Sequence, residues 1–157
     1  MYIQLLIMNE LKSRLKIKED ITLYKETLLR ILLSTNTIKN RLLSVLKPHA
    51  LSLEQFNVLR ILRGQNGNPL NLQDVQERMV SKMSNTTRLV DKLILKDYVK
   101  RTQCSSNKRK IELSITKNGL DKLLELDDII DATEKQATAQ LNTSELMELN
   151  KLLLKIQ

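Results

Sequence analysis

The chain has 157 residues, of which 41% are hydrophobic, and carries a formal net charge of +8 at pH 7. This length predicts one domain with terminal extensions, and no apolar run approaches the roughly 18 residues that a membrane span requires. The single cysteine, Cys104, excludes an intrachain disulfide framework and is typical of a reducing compartment, so we expect a cytoplasmic protein with no membrane partner.

The first third of the chain predicts a long helix followed by a shorter one. Apolar residues recur at a 3-4 spacing over residues 21–45, which is typical of one long amphipathic helix that ends at Pro48. Ser52 and Gln55 then form a capping box that predicts a second helix through about Arg63.

Turn and capping signals divide the next segment into two short helices. Residues 64–69 read Gly-Gln-Asn-Gly-Asn-Pro and predict a turn. Asn71 opens a short helix that ends near residue 79. A further helix is predicted from about Ser81 or Met83 to Lys96.

A β-hairpin and two helices follow. Residues 98–101 and 110–115 predict two strands around a polar tip at 105–108, because apolar and polar residues alternate in the second strand. A helix is predicted over 117–139. The last helix begins near Asn142 or Thr143 and carries apolar residues at a 3-4-3 spacing: Leu146, Leu149, Leu153 and Ile156.

The positive charge is concentrated in the middle of the chain. Residues 60–117 hold 13 Lys/Arg and 5 Asp/Glu, a net +8, whereas residues 1–59 carry +4 and residues 118–157 carry −4. Localised positive charge is typical of a module that binds a polyanion, although a solvated basic surface has the same composition. No set of residues suited to catalysis, cofactor binding or metal binding can be assembled, so we expect neither an enzyme nor a cofactor.

The helix predicted before the hairpin separates into two faces on a helical wheel. Its apolar arc should face the core and contains Met83, Thr86, Leu89, Val90 and Leu93. Its polar arc contains Ser81, Ser84, Asn85, Thr87, Arg88 and Lys92. Asparagine can bond adenine, arginine can bond guanine or phosphate, and hydroxyl groups suit phosphates. An ordinary solvated helix face is the alternative interpretation.

Several motifs in the middle of the chain resemble the MarR family of winged helix-turn-helix transcriptional regulators. They are Ser-Asn-Thr-Thr-Arg-Leu-Val-Asp-Lys-Leu at 84–93, Tyr-Val-Lys-Arg at 98–101, Asn-Lys-Arg at 107–109 and Ile-Thr-Lys-Asn-Gly at 115–119. The order and length of the predicted helices resemble that family over the whole chain. Two short helices followed by a basic hairpin suit DNA, because a helix fits the major groove and a hairpin reaches the flanking backbone.

The resemblance implies a mainly α fold with a small β-hairpin wing, in which long terminal helices intertwine as a homodimer. It places an N-terminal extension and dimerisation helix at 1–50, the DNA-binding module at 51–116 and C-terminal dimerisation helices at 117–157. It also implies a recognition helix in each major groove of a pseudo-palindromic operator, a repressor function, and a small-molecule effector in the crevice between the dimer helices and the module.

The DNA-binding residues predicted from the polar helix face and the basic hairpin are Ser81, Lys82, Ser84, Asn85, Thr87, Arg88, Lys92, Arg101, Lys108, Arg109 and Lys110. Arg109 matches the arginine of an Asp-x-Arg sequence in the family's wing, but Asn107 stands at the acidic position, so a looser wing is expected. Asp97 stands where the family usually has glycine, and a left-handed turn there is tolerable for aspartate.

Three other features have simpler explanations than a functional site. Cys104 has only the nearby cations Arg101 and Lys108 to lower its thiol pKa, so we expect an incidental residue rather than an oxidant sensor. His49 should have a loop or capping role. The acidic residues between 125 and 134 should form a solvated helix face.

Two other functions remain open from the sequence. A winged-helix interaction module, similar to an antirepressor, would bind protein instead of DNA, and its recognition helix should expose apolar groups. RNA binding is a third interpretation, but stacking aromatics are scarce, with three tyrosines and one phenylalanine in the chain.

Overall fold

The computed structural model of the protein describes residues 10–81, 85–103 and 111–156. It confirms the mainly α fold with a small antiparallel hairpin. Helix α1 includes residues 10–15. The remaining elements are α2 (Leu23–Leu46), a 3-10 turn (Lys47–His49), α3 (Leu53–Arg63), α4 (Leu72–Arg78), α5 (Thr86–Leu95), β1 (Val99–Gln103), β2 (Ile111–Ile115), α6 (Lys117–Ala137) and α7 (Thr143–Leu154).

The chain divides into two compact units, residues 1–40 and residues 41–157. In the first unit, Leu11 and Ile21 are buried. Glu26 is buried as well, and its carboxylate accepts a hydrogen bond of 2.9 Å from Arg30 Nε. Among the described residues, no helix has both the length and the apolar character that crossing a membrane requires.

Side-chain caps begin the helices where the sequence predicts them. Ser52 caps α3, Asn71 caps α4 and Asn142 caps α7, and each forms a reciprocal capping box with the residue three positions later. These bonds satisfy backbone N–H groups that have no partner inside a helix. Pro48 lies in the 3-10 turn that follows α2, which confirms the predicted end of the long helix.

The second unit is built around one aliphatic core. Helix α3 packs against α5, α6 and strand β2 around it. Its buried residues are Leu46, Leu51, Phe56, Val58, Leu59, Leu62, Leu70, Val75, Met79, Val90, Leu93, Val99, Leu113, Leu123, Leu126 and Ile130. Because Phe56 is its only aromatic member among the described residues, this core is held together mainly by close packing of branched side chains.

Two ion pairs and one histidine–carboxylate contact connect α6 to the preceding elements of the second unit. Arg63 Nη1 lies 2.7 Å from Asp127 Oδ2, and Arg60 Nη1 lies 3.6 Å from Glu134 Oε1. His49 lies in the 3-10 turn, with its Nδ1 3.1 Å from Glu125 Oε1. The acidic residues of α6 are therefore partly paired rather than simply solvated.

The carboxylate of Glu125 also accepts a hydrogen bond from Lys122 Nζ at 2.5 Å. This hydrogen bond is the largest cause that lowers the pKa of Glu125, and the charges of Lys122 and His49 act in the same direction. No group of three or more potential metal ligands occurs in the described part of the chain.

The prediction that the helix before the hairpin begins near Ser81 or Met83 is wrong. Ser81 is not helical, and the first helical residue is Thr86. The reason is that Asn85 is the N-cap: its side-chain oxygen accepts a hydrogen bond of 3.1 Å from Arg88 N.

The hairpin has the predicted strands and one additional pairing. Strands β1 and β2 are antiparallel, with Val99 opposite Ile115 and Arg101 opposite Leu113. Leu70 adds an isolated bridge to the other side of β2, with hydrogen bonds in both directions between Leu70 and Leu113. The turn at 64–69 therefore leads directly into the sheet, which the sequence did not reveal.

Side chains at the base of the hairpin fasten it to the start of α6. Asp97 has a φ of 56°, which confirms the left-handed turn predicted there. Its carboxylate accepts a hydrogen bond of 2.7 Å from Asn118 Nδ2, and its backbone carbonyl accepts one of 2.6 Å from Thr116 Oγ1. Thr116 also caps α6 by accepting a bond from Gly119 N. The residues of the Ile-Thr-Lys-Asn-Gly motif thus act at a structural junction.

Gly119 is required at this junction because two backbones meet there. A Cβ at Gly119 would collide with the carbonyl oxygen of Tyr98 and lie 2.8 Å from Ile115 Cγ1. The same Tyr98 oxygen accepts a hydrogen bond of 3.0 Å from Thr116 N, so it cannot move away without breaking that bond.

We predict that Gly119→Ala lowers the free energy of unfolding by about 1–3 kcal/mol, because the added methyl group forces the hairpin and α6 apart. Urea denaturation followed by far-UV circular dichroism measures this change. Gly64→Ala is the matched control, since the nearest atom to its added Cβ is 3.5 Å away and its φ is −63°. Equal stability of the two variants would contradict the close contact.

Candidate nucleic-acid interface

Helices α4 and α5 form the predicted pair of short helices. Val75 of α4 and Val90 and Leu93 of α5 are buried in the same core. Thr86 is buried at the start of α5, and Leu89 is half-buried against the core. The described part of the apolar arc therefore faces inward, as the helical wheel predicts.

The opposite side of α5 is exposed and polar. Thr87, Arg88, Asp91 and Lys92 are all exposed to solvent. Arg88 and Lys92 are separated by one helical turn, so their side chains lie on the same side of the helix. Because the other side of α5 is fixed in the core, these groups are held on a rigid surface that can contact phosphates or base edges.

Asn85 has a structural role that the sequence analysis did not assign. Its oxygen is engaged with the Arg88 backbone N–H, as described above, and the residue is exposed. One lone pair of the oxygen is therefore used by the cap, while the side-chain NH₂ group remains a donor. This arrangement suits a base that offers an acceptor to the free NH₂ group.

Arg101 lies on β1, and its guanidinium contacts α5. Its Nη2 is 2.7 Å from Asp91 Oδ1, and both side chains are partly exposed. Asp91 is not predicted from the sequence, because an acidic side chain is not expected on a surface that binds DNA. The pair connects the polar side of α5 with the hairpin.

The structure describes six of the predicted site residues and brings most of them to one region. Asn85, Thr87, Arg88 and Lys92 lie on or beside α5, and Arg101 reaches α5 through Asp91. Ser81 is exposed but precedes the helix. The others lie outside the described residues, as does Cys104: Lys82, Ser84, Lys108, Arg109 and Lys110.

A comparison with known families matches this region of the chain. Residues 51–111 match the model described as MarR family. Over 68 residues, the chain is 34% identical to the uncharacterized HTH-type transcriptional regulator YfiV of Bacillus subtilis (strain 168). That alignment covers 43% of this chain and 41% of the relative, so the chain matches less than half the length of its curated relative.

Solved structures resemble the fold over most of the chain. BpsR of Bordetella bronchiseptica, solved in a study of how 6-hydroxynicotinic acid regulates its DNA binding, has a TM-score of 0.77 at 17% identity, covering 88% of this chain and 97% of its own. A mutant of MarR from E. coli in complex with operator DNA has a TM-score of 0.75 at 21% identity, covering 87% and 99%. At these identities the likeness shows the winged-helix fold.

We predict that Asn85→Ala lowers the free energy of unfolding by about 1 kcal/mol, because the cap on Arg88 N is lost. Asn85→Asp keeps a side-chain oxygen at the same position, so its unfolding free energy should stay close to that of the parent protein. Urea denaturation of the three proteins measures the difference. Equal free energies of unfolding for Asn85→Ala and Asn85→Asp would show that the cap is not formed in solution.

Proposed function

We propose that this chain, which belongs to the MarR family, is a transcriptional regulator that binds specific duplex DNA as a homodimer. In this proposal residues 51–116 form the DNA-binding module, and the terminal helices form the dimer interface. The DNA-contacting residues are the set predicted from the sequence, with α5 as the recognition helix and the hairpin as the wing. A protein with this function acts in the cytoplasm, where it can reach the chromosome.

The observation that carries the proposal is the two-sided character of α5. Its inner side is buried in the core, and its outer side presents Thr87, Arg88 and Lys92 to solvent. A rigid helix with short hydrogen-bonding groups and long cations on its exposed side fits the major groove. The charge of residues 60–117, +8 in total, supplies the attraction to the phosphate backbone.

The exposure of helix α7 supports the proposed dimer. It has 12 residues, and none of them is buried within its own chain. Met147, Leu152 and Leu154 have exposed fractions of 60%, 49% and 70%. An isolated helix of this length is marginally stable in water. A partner subunit that covers these side chains would stabilise it, and two-fold symmetry would then predict a pseudo-palindromic operator.

Repression relieved by a small molecule completes the proposal. A ligand can release the operator only if it binds better to a dimer whose two recognition helices have the wrong separation. Regulation by 6-hydroxynicotinic acid belongs to BpsR, and it supports only the general expectation of an effector here.

A protein-interaction module is the other candidate, and the polar side of α5 argues against it. Such a module needs exposed apolar groups where the partner binds. Leu95 is 86% exposed, but it is the last residue of α5, three residues beyond Lys92. The central exposed positions are polar or charged.

Selection of bound duplexes from a random DNA pool tests the proposed function. We expect an enriched palindromic motif whose half-sites are about one helical turn apart. Failure to enrich any sequence, with a folded dimer in the same preparation, would contradict DNA-binding regulation and favour the interaction module.

We predict that Arg88→Ala and Arg109→Ala each weaken operator binding by about tenfold or more, because each removes a contact to phosphate or base. Gel-shift titration measures the affinity, and size-exclusion chromatography should show an unchanged dimer. Arg60→Ala is the matched control, since this arginine pairs with Glu134 of α6, away from the proposed surface. Unchanged affinity in both test variants would contradict the site.

A further inference from the structure

Asp91 and Arg101 form an ion pair between the two elements that the proposed function assigns to DNA. Asp91 lies on α5, and its Oδ1 accepts a hydrogen bond of 2.7 Å from Arg101 Nη2 of β1. The side chain of Asp91 is 51% exposed and that of Arg101 is 38% exposed. The pair is therefore located at the surface, where duplex DNA would approach.

The register of the hairpin explains why Arg101 reaches α5. Residues directly opposite in an antiparallel pair have their side chains on the same face of the sheet. Arg101 is opposite Leu113, which is 1% exposed, so the arginine starts from the face of the hairpin that packs on the core. Its side chain is long enough for the guanidinium to contact Asp91 of α5.

Neither folding stability nor simple attraction to DNA accounts for the carboxylate at this position. An exposed ion pair contributes at most about 1 kcal/mol to stability. A negative charge beside Arg88 and Lys92 repels phosphates and neutralises one of the cations that would attract them. A carboxylate here weakens sequence-independent binding to DNA. Its benefit would therefore lie in the selectivity of binding between sequences.

We propose that Asp91 is a positioning residue that determines specificity, an inference that rests on the proposed function. Asp91 holds the guanidinium of Arg101 against α5, and this contact fixes the hairpin relative to the recognition helix. Arginine has five N–H donors, so the guanidinium keeps donors for a phosphate after one is used by Asp91. Arg101 then contacts DNA in one orientation, which fits only a duplex of the correct shape.

The test is to compare Asp91→Asn with the parent protein on the selected operator and on a scrambled duplex of equal length, over a range of salt concentrations. Without the Asp91 carboxylate, Arg101 can reach a phosphate group in a duplex of any sequence. Binding to the scrambled duplex should tighten, and its log–log salt slope should steepen by about 0.9. The ratio of operator affinity to scrambled affinity should fall by about tenfold. A pure charge effect would tighten both complexes equally, and that result would overturn the inference.

Two controls separate positioning from charge. Glu77 lies on the exposed side of α4, where it accepts a hydrogen bond from Gln73. Glu77→Gln removes one negative charge there and should leave the ratio of operator affinity to scrambled affinity unchanged. In an Arg101→Ala background, Asp91→Asn should have no further effect on the ratio, because Asp91 acts through Arg101. A full effect of Asp91→Asn in that background would also overturn the inference.

A measurement without DNA completes the test. Asp91→Asn should speed amide hydrogen exchange in β1, while the urea midpoint changes little. A parent protein that prefers no sequence would contradict the proposed function and the inference together. A parent protein that prefers an operator, combined with an Asp91→Asn variant that behaves like Glu77→Gln, would contradict the inference alone.

Discussion

The close approach of Gly119 to the Tyr98 carbonyl is the constraint on which the second unit depends. A two-stranded hairpin is marginally stable by itself, so it needs a fixed attachment. Tyr98 provides it in both directions: its N–H donates to Leu93 O at the end of α5, and its carbonyl accepts from Thr116 N at the start of α6. Backbone hydrogen bonds of Tyr98 thereby join helix α5, the hairpin and helix α6.

This junction gives the exposed surface its rigidity. Side chains that would read DNA gain selectivity only if their backbone does not move on binding. The buried side of α5 prevents the helix from rotating, and the left-handed turn at Asp97 sets the direction in which β1 leaves it. The Asp91–Arg101 pair then connects helix and hairpin a second time, through side chains.

Much of the fold was readable from the sequence because its signals are local. The caps at Ser52, Asn71 and Asn142 depend on residues within one turn of the chain, whereas the left-handed turn at Asp97 was implied by the family resemblance. The start of α5 was mislocated because Ser81, Ser84 and Asn85 are all residue types that can cap a helix, so composition could not choose among them.

Long-range features left no comparable signal. The bridge of Leu70 to Leu113 involves a single residue outside the two strands, so no alternating pattern marks it in the sequence. Asp91 and Arg101 meet only because the chain reverses between α5 and β1, which no periodicity records. For the candidate site, the sequence predicted which side of α5 is exposed, but it could not predict that Asn85 and Arg101 are already engaged by groups of the protein itself.

In the proposed homodimer, helix α7 would make the stability of the protein depend on its concentration. None of its residues is fully buried within its own chain, so burial against a partner subunit would add to the free energy that keeps this helix folded. By mass action, the population of the ordered form then rises with subunit concentration. A regulator that dimerises as proposed would be least stable when it is scarce, so cell growth without new synthesis would lower the fraction of dimeric molecules as well as their concentration.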